Sequence, residues 1–189
     1  MTKLKFTVIA VMAALTLSSC GGGSGSQPAD AKGFGEIEKE IKAKFGDDAY
    51  YTELSVMYDE TIGNMISTTV TKDPESLKME EWSLSQDAWN LTSEITLEVP
   101  EGTKAADYMF QLNEKINLSD LGGLVEKSMK QLTEEKNIEN PKLAMAYVSY
   151  PDNGDASKAQ YNINLEPENG GTTFHFSYTL EGELIDMSY

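Results

Sequence analysis

The sequence predicts an α+β fold: two helix-plus-four-stranded antiparallel sheet units in tandem. Three observations point to it. Apolar residues recur at helical spacing twice, at Ile37, Ile41 and Phe45 and again at Leu121, Leu124, Val125, Met129 and Leu132. Runs of alternating apolar and polar residues follow each helix, separated by Gly, Pro, Asn and Asp turns. The two halves also read in the same order. Gly35-Glu36-Ile37-Glu38-Lys39 matches Gly123-Leu124-Val125-Glu126-Lys127, and residues 70–76 roughly match 163–169.

In chain order, residues 36–45 form the first helix, which Gly46-Asp47-Asp48 ends. Tyr50, Thr52, Leu54, Val56 and Tyr58 alternate with Tyr51, Glu53, Ser55, Met57 and Asp59, which is a strand. A turn at 59–63 leads to a second strand with Ile62, Ile66 and Val70 on one side. Leu77 and Met79 share a face with Trp82 and Leu84 only if Glu80-Glu81 forms a bulge. Trp89, Leu91, Ile95, Leu97 and Val99 read as a strand with one apolar face. Residues 103–118 fit a strand through Tyr108, Phe110 and Leu112, or a helix through Tyr108, Leu112 and Ile116; the strand is preferred. Ser119 is the expected N-cap of the second helix, which runs to about Lys136 before Asn140-Pro141. Strands follow at 143–150, 160–166, 172–180 and 183–188.

Ahead of this region lies a leader. Lys3 and Lys5 precede an apolar run from Phe6 to Leu17, too short for a transmembrane helix of roughly 20 residues. Leu17-Ser18-Ser19-Cys20 closes it and contains the only cysteine. These residues resemble the lipobox of a bacterial lipoprotein. The resemblance implies cleavage before Cys20, acylation of its thiol and amine, and a permanent membrane anchor, because two or three acyl chains far exceed the marginal hold of one. By the same resemblance, Gly21 in place of an Asp directs the protein to the outer membrane, facing the periplasm. Residues 1–19 are then the signal peptide, 20–33 a Gly- and Ser-rich flexible tether, 34–118 the first α+β unit and 119–189 the second.

Composition narrows the function. The chain has 189 residues and a formal charge of −16; loss of Lys3 and Lys5 with the leader makes it −18. There is no arginine. Nucleic-acid binding, which needs a basic face, is excluded as an expectation. His175 is the sole histidine and lies between Phe174 and Phe176, so alternation puts it on the face opposite to theirs. With Cys20 acylated, no nucleophile–histidine site or zinc site assembles, and no cofactor is expected. Asp152-Asn153-Gly154-Asp155 lacks EF-hand spacing and reads as a turn. The carboxylate pairs Glu80-Glu81 and Glu134-Glu135 do not by themselves make a glycosidase. Aromatics in strands are the remaining candidates for contact with a protein or saccharide: Trp82, Trp89, Tyr58 and Tyr147.

The helix-plus-four-strand order, doubled, also resembles tandem PepSY-like and β-lactamase-inhibitor-protein-like domains. That resemblance implies helices packed on one sheet face and a partner on the other. The expected function is therefore a lipid-anchored binding module without catalysis. The alternatives are a small-ligand carrier or sensor, and a carboxylate-dependent hydrolase.

Overall fold

A computed structural model describes residues 24–59 and 61–189. The expected leader, the lipobox-like residues Leu17, Ser18 and Ser19, and Cys20, the expected site of lipid attachment, lie outside the described residues. The fold is α+β, with two α-helices and eight strands among the described residues: α1 (Ala31–Phe45), β1 (Tyr50–Asp59), β2 (Gly63–Thr71), β3 (Lys78–Ser85), β4 (Ala88–Thr96), α2 (Leu118–Lys136), β5 (Lys142–Ser149), β6 (Gln160–Glu166), β7 (Phe174–Thr179) and β8 (Leu184–Ser188).

The strands form one antiparallel sheet in the order β4-β3-β2-β1-β5-β6-β7-β8, not two four-stranded sheets. β1 and β5 join the halves, from Leu54 opposite Val148 to Met57 opposite Met145. The reason is physical. Each half is a meander whose first strand would otherwise present a row of unpaired N–H and C=O groups. Pairing β1 with β5 removes both inner edges and leaves only β4 and β8 open.

α1 begins earlier than its apolar spacing indicates. Asp30 caps it, accepting the Gly33 N–H at 2.7 Å, and Phe34 is fully buried with Ile37, Ile41 and Phe45. The described part of the expected tether is accordingly packed against the domain. The Gly25 N–H donates to Asp87 Oδ1 at 3.1 Å, and Asn64 Nδ2 donates to the Gln27 carbonyl at 2.7 Å. A Cβ on Gly33 would collide with the Pro28 carbonyl, so this turn requires glycine. Its Gly, Ala and Ser composition is what makes the segment look like linker.

α2 is capped by Asn117, not Ser119. The Asn117 Oδ1 accepts the Asp120 N–H at 2.8 Å, while the Ser119 hydroxyl donates across to the Ala31 carbonyl at 3.1 Å. The helices cross antiparallel at small residues, with Gly35 against Ser119 and Gly123 against Ala31. Each also supplies a glutamate to the other's N-terminus. Glu38 Oε2 accepts the Leu118 N–H at 2.7 Å, and Glu126 Oε2 accepts the Ala31 N–H at 3.1 Å. A carboxylate there satisfies an orphan donor and complements the positive end of the helix dipole. Glu38 and Glu126 are equivalent in the sequence match between the halves.

Bulges decide which strand residues face the helices. One in β1 between Tyr51 and Glu53 puts Tyr51, Leu54 and Val56 on the helix side. One in β5 between Leu143 and Met145 does the same for Leu143, Ala146 and Val148. The bulge at Glu80-Glu81 that a shared face for Met79, Trp82 and Leu84 would need does not form; the irregularity falls in β4, where Thr92 is the extra residue between Leu91 and Ser93. β3 therefore alternates regularly. Trp82 and Leu84 turn toward the helices, while Met79 turns away and is buried with Ala105 and Met109. The same bulge sends Trp89 and Ile95 to opposite faces. Between the halves, neither expected element forms over 103–118: a 3-10 turn at Ala105–Tyr108 is followed by a single bridge, Phe110 to Tyr51.

Candidate interaction face

The helices cover one side of the sheet. Three of the four aromatics expected on a contact face lie on that side. Trp82 and Trp89 flank Phe45 edge-on, with ring centroids 5.9 and 5.0 Å away. Lys44 Nζ sits 4.2 Å over the Trp82 ring, and the Trp82 indole donates to Glu80 Oε2 at 2.8 Å. Tyr58 follows Val56 on the helix side at the end of β1, 41 % exposed. Only Tyr147 reaches the opposite face. The four do not converge.

Buried tyrosines hold the helix side together. Tyr161 Oη accepts the Asn117 N–H at 2.9 Å and donates to the Asn117 carbonyl at 3.1 Å, pinning the start of α2. Tyr178 Oη and Ser128 Oγ are 2.8 Å apart. Tyr51 Oη is buried with no hydrogen-bond partner among the described residues. Burial pushes the Tyr161 phenol up from its ordinary value of 10 to about 12, and raises Tyr51 and Tyr178 as well. The folded state thus holds these protons more tightly than the unfolded chain. Their contribution to stability is fully present below pH 10 and is lost as pH rises through the folded values. Followed by phenolate absorbance, an alkaline titration should show exposed tyrosines ionising first. The buried set should ionise only together with loss of helical circular dichroism. Ionisation of all nine in one step near pH 10 with the fold intact would contradict this.

The open side has a different chemistry. One row of directly opposed residues crosses all eight strands: Asn90, Ser83, Ser67, Ser55, Tyr147, Asn162, Ser177 and Asp186. It is hydroxyl and carboxamide throughout, with a charge only at the β8 edge. The next row carries Met65, Met57 and Met145 at its centre, then Asn164, His175 and Ser188. All three methionines are half-buried. Cross-strand bonds order the β6–β7 side: Ser177 Oγ donates to Asn162 Oδ1 at 2.7 Å, and His175 Nδ1 lies 2.9 Å from Asn164 Oδ1. At the β1–β5 seam, a shallow groove of about 430 Å³ is lined by Glu53, Ser55, Met145, Tyr147, Ser149 and Asn164. With strands about 4.8 Å apart, the face is roughly 34 Å wide.

The residues that looked chemical have local roles. His175 is exposed between buried Phe174 and Phe176, as alternation requires. Glu80 and Glu81 point to opposite sheet faces. On α2, Glu134 pairs with Lys130 at 3.8 Å, and Glu135 accepts from Gln131 at 3.1 Å. In the 152–155 turn, the Asp155 carboxylate accepts from the Ser157 N–H and hydroxyl, and these bonds hold its pKa below the ordinary value. Among the described residues, no group of three or more His, Cys, Asp or Glu could hold a metal ion. None of the described helices is long and apolar enough to cross a membrane. A cleft of about 810 Å³ opens at the far end of the sheet, where Tyr50, Met109, Phe110, Ile116, Tyr150 and Leu180 line it.

Comparison with protein-family models, with curated proteins and with solved structures finds no match.

Sequence reasoning passed over Ser55, Ser67, Ser83, Asn162, Ser177 and the three methionines. The available signal was their place at the non-core positions of successive strands. That signal becomes a surface only once the strand order is known.

Proposed function

We propose that this protein is a lipid-anchored binding module of a bacterial outer membrane, facing the periplasm and without catalytic activity, whose open sheet face receives a protein partner. The observation that carries the reading is the uncharged centre of that face. In a chain of formal charge −16, two adjacent rows place Tyr147, Met57, Met65 and Met145 among hydroxyls and amides with no lysine, aspartate or glutamate between β3 and β7. Charge depletion with tyrosine and methionine enrichment is the compositional mark of an interface centre. The anchor rests on the leader and on Leu17-Ser18-Ser19-Cys20.

The two halves are read as copies of one unit, and with them the likeness to PepSY-like and inhibitor-protein-like tandem domains. Reciprocal Glu38 and Glu126 caps support this. So do bulges in the first strand of each half and between its third and fourth strands. A second reading, a small-ligand carrier, is supported by the cleft between Tyr50, Phe110 and Tyr150.

The test is a photoreactive side chain at Ser67 or Tyr147 in cells, with Lys130 on exposed α2 surface as control. Protein adducts at the two face positions and none at Lys130 are expected. Adducts to glycan would move the partner to a saccharide. Equal labelling at Lys130 would remove the face from consideration. In the same strains, Cys20→Ser should release the protein from the membrane fraction with its leader uncut; normal cleavage and membrane retention would reject the lipid anchor.

A further inference from the structure

We infer that the end of the sheet bearing the β1–β2 and β3–β4 turns is seated on the bilayer. The short path from Cys20 holds it there, and Ile62, Tyr58 and Tyr189 contact the headgroup region. The inference rests on the lipid-anchor reading above and adds an orientation to it.

The chain is fixed to the domain from Gly25 onward: its N–H bonds to Asp87 in the β3–β4 turn, and its carbonyl lies where a Cβ on Gly63 would have to go. Five residue steps separate Cys20 from Gly25, and five steps reach at most about 18 Å. A strand of ten residues such as β1 is roughly 30 Å long. The anchoring atom is therefore closer to this end of the sheet than the length of the domain. A tether through residue 33 would have let the domain turn freely; one that ends by Gly25 does not.

A second observation is independent of the tether. The β1–β2 turn exposes Ile62 at 38 %, held at its tip by Asp59, whose Oδ1 accepts the Thr61 and Ile62 N–H groups at 2.8 and 3.0 Å. Tyr58 is 41 % exposed at the same end of β1. Tyr189 is 73 % exposed and packs at a tilt against Phe174, which starts β7 at that end, with Lys136 Nζ 5.2 Å over its ring. Tyrosines, an isoleucine and a lysine together suit the amphipathic interface of a bilayer. Among the acids at this end, Asp59 and Asp87 accept backbone N–H groups, and Glu60 follows Asp59 in sequence. The seating leaves the open sheet face upright and the 810 Å³ cleft at the distal end.

The test uses the full acylated protein, reconstituted in vesicles of phosphatidylethanolamine and phosphatidylglycerol that contain a headgroup nitroxide lipid. A fluorophore is placed at Ile62→Cys, at Asn153→Cys on the distal β5–β6 loop, or at Ser67→Cys on the open face. Quenching at Ile62 should be several-fold stronger than at either other site, and ten Gly and Ser residues inserted between Gly23 and Ser24 should reduce that contrast. Equal quenching at all three, or stronger quenching at Asn153 or Ser67, overturns the orientation while leaving the anchor standing. If the acylated preparation does not float with vesicles, the anchor reading fails first and the orientation goes with it.

Discussion

Val125→Asp is expected to unfold both halves of the protein in one step. Val125 is fully buried on α2, in the core cluster that also contains Phe34, Ile37 and Ile41 of α1. An unpartnered carboxylate there, in place of a closely packed valine, costs about 4 kcal/mol or more. Typical domain stability is about 5–15 kcal/mol. From the sequence, each helix is expected to stabilise its own half. The shared sheet and the α1–α2 crossing change that expectation, because the β1–β5 pairs and the Glu38 and Glu126 caps bind each half to the other. Both tryptophans, Trp82 and Trp89, lie in the first half and report on it alone. In urea, their fluorescence should change at the same midpoint as far-ultraviolet circular dichroism, for the wild type and, if it folds at all, for Val125→Asp. A variant that loses about half its secondary structure while the tryptophans stay native would show the halves to be independent.

The second large effect separates two adjacent glycines. At Gly122, an added Cβ would meet the Asp30 carbonyl group and stand 2.8 Å from the Phe34 Cβ. The obstruction is largely backbone, so α1 and α2 would have to move apart. At Gly123, the nearest atom is the Ala31 Cβ at 3.9 Å, an ordinary contact. Alanine gains up to about 1 kcal/mol over glycine within a helix. Gly123→Ala should keep that gain. Gly122→Ala should lose about 1–3 kcal/mol despite it, through overpacking. Urea midpoints for the two variants check this directly; equal shifts would mean that the helices do not approach at Gly122.

The helical stripes and the strand runs were legible because burial on one side imposes a period on the chain. Ile37, Ile41, Phe45, Leu121, Leu124, Val125 and Leu132 are all buried, and His175 is exposed between two buried phenylalanines. Capping was less legible: Asp30 and Asn117, each at the end of a small or polar stretch, hold the helices in place of the expected starts. The contact face was not legible in its members. Trp82 and Trp89 have the composition of binding residues, yet Phe45 receives them on the helix side. Ser55 and Met57 have no such signature and lie at the centre of the open face.

Residue pattern alone was enough for the α+β class, the two helices with the sheet runs after each, and the acidic charge. These are local properties: side-chain period, turn chemistry and composition act over a few residues and need no knowledge of what packs beside them. Only the tertiary structure decided that the strands form one sheet, since hydrogen-bond partners in β1 and β5 are some ninety residues apart and alternation is blind to partner choice. It also decided the faces, because one inserted residue at Thr92 or near Glu53 reverses every side chain beyond it. And it decided that the stretch from Gly25 packs on the domain. The Gly- and Ser-rich stretch carries no periodic signal, and only the bonds from Gly25 to Asp87 and from Asn64 to Gln27 show that it is part of the fold.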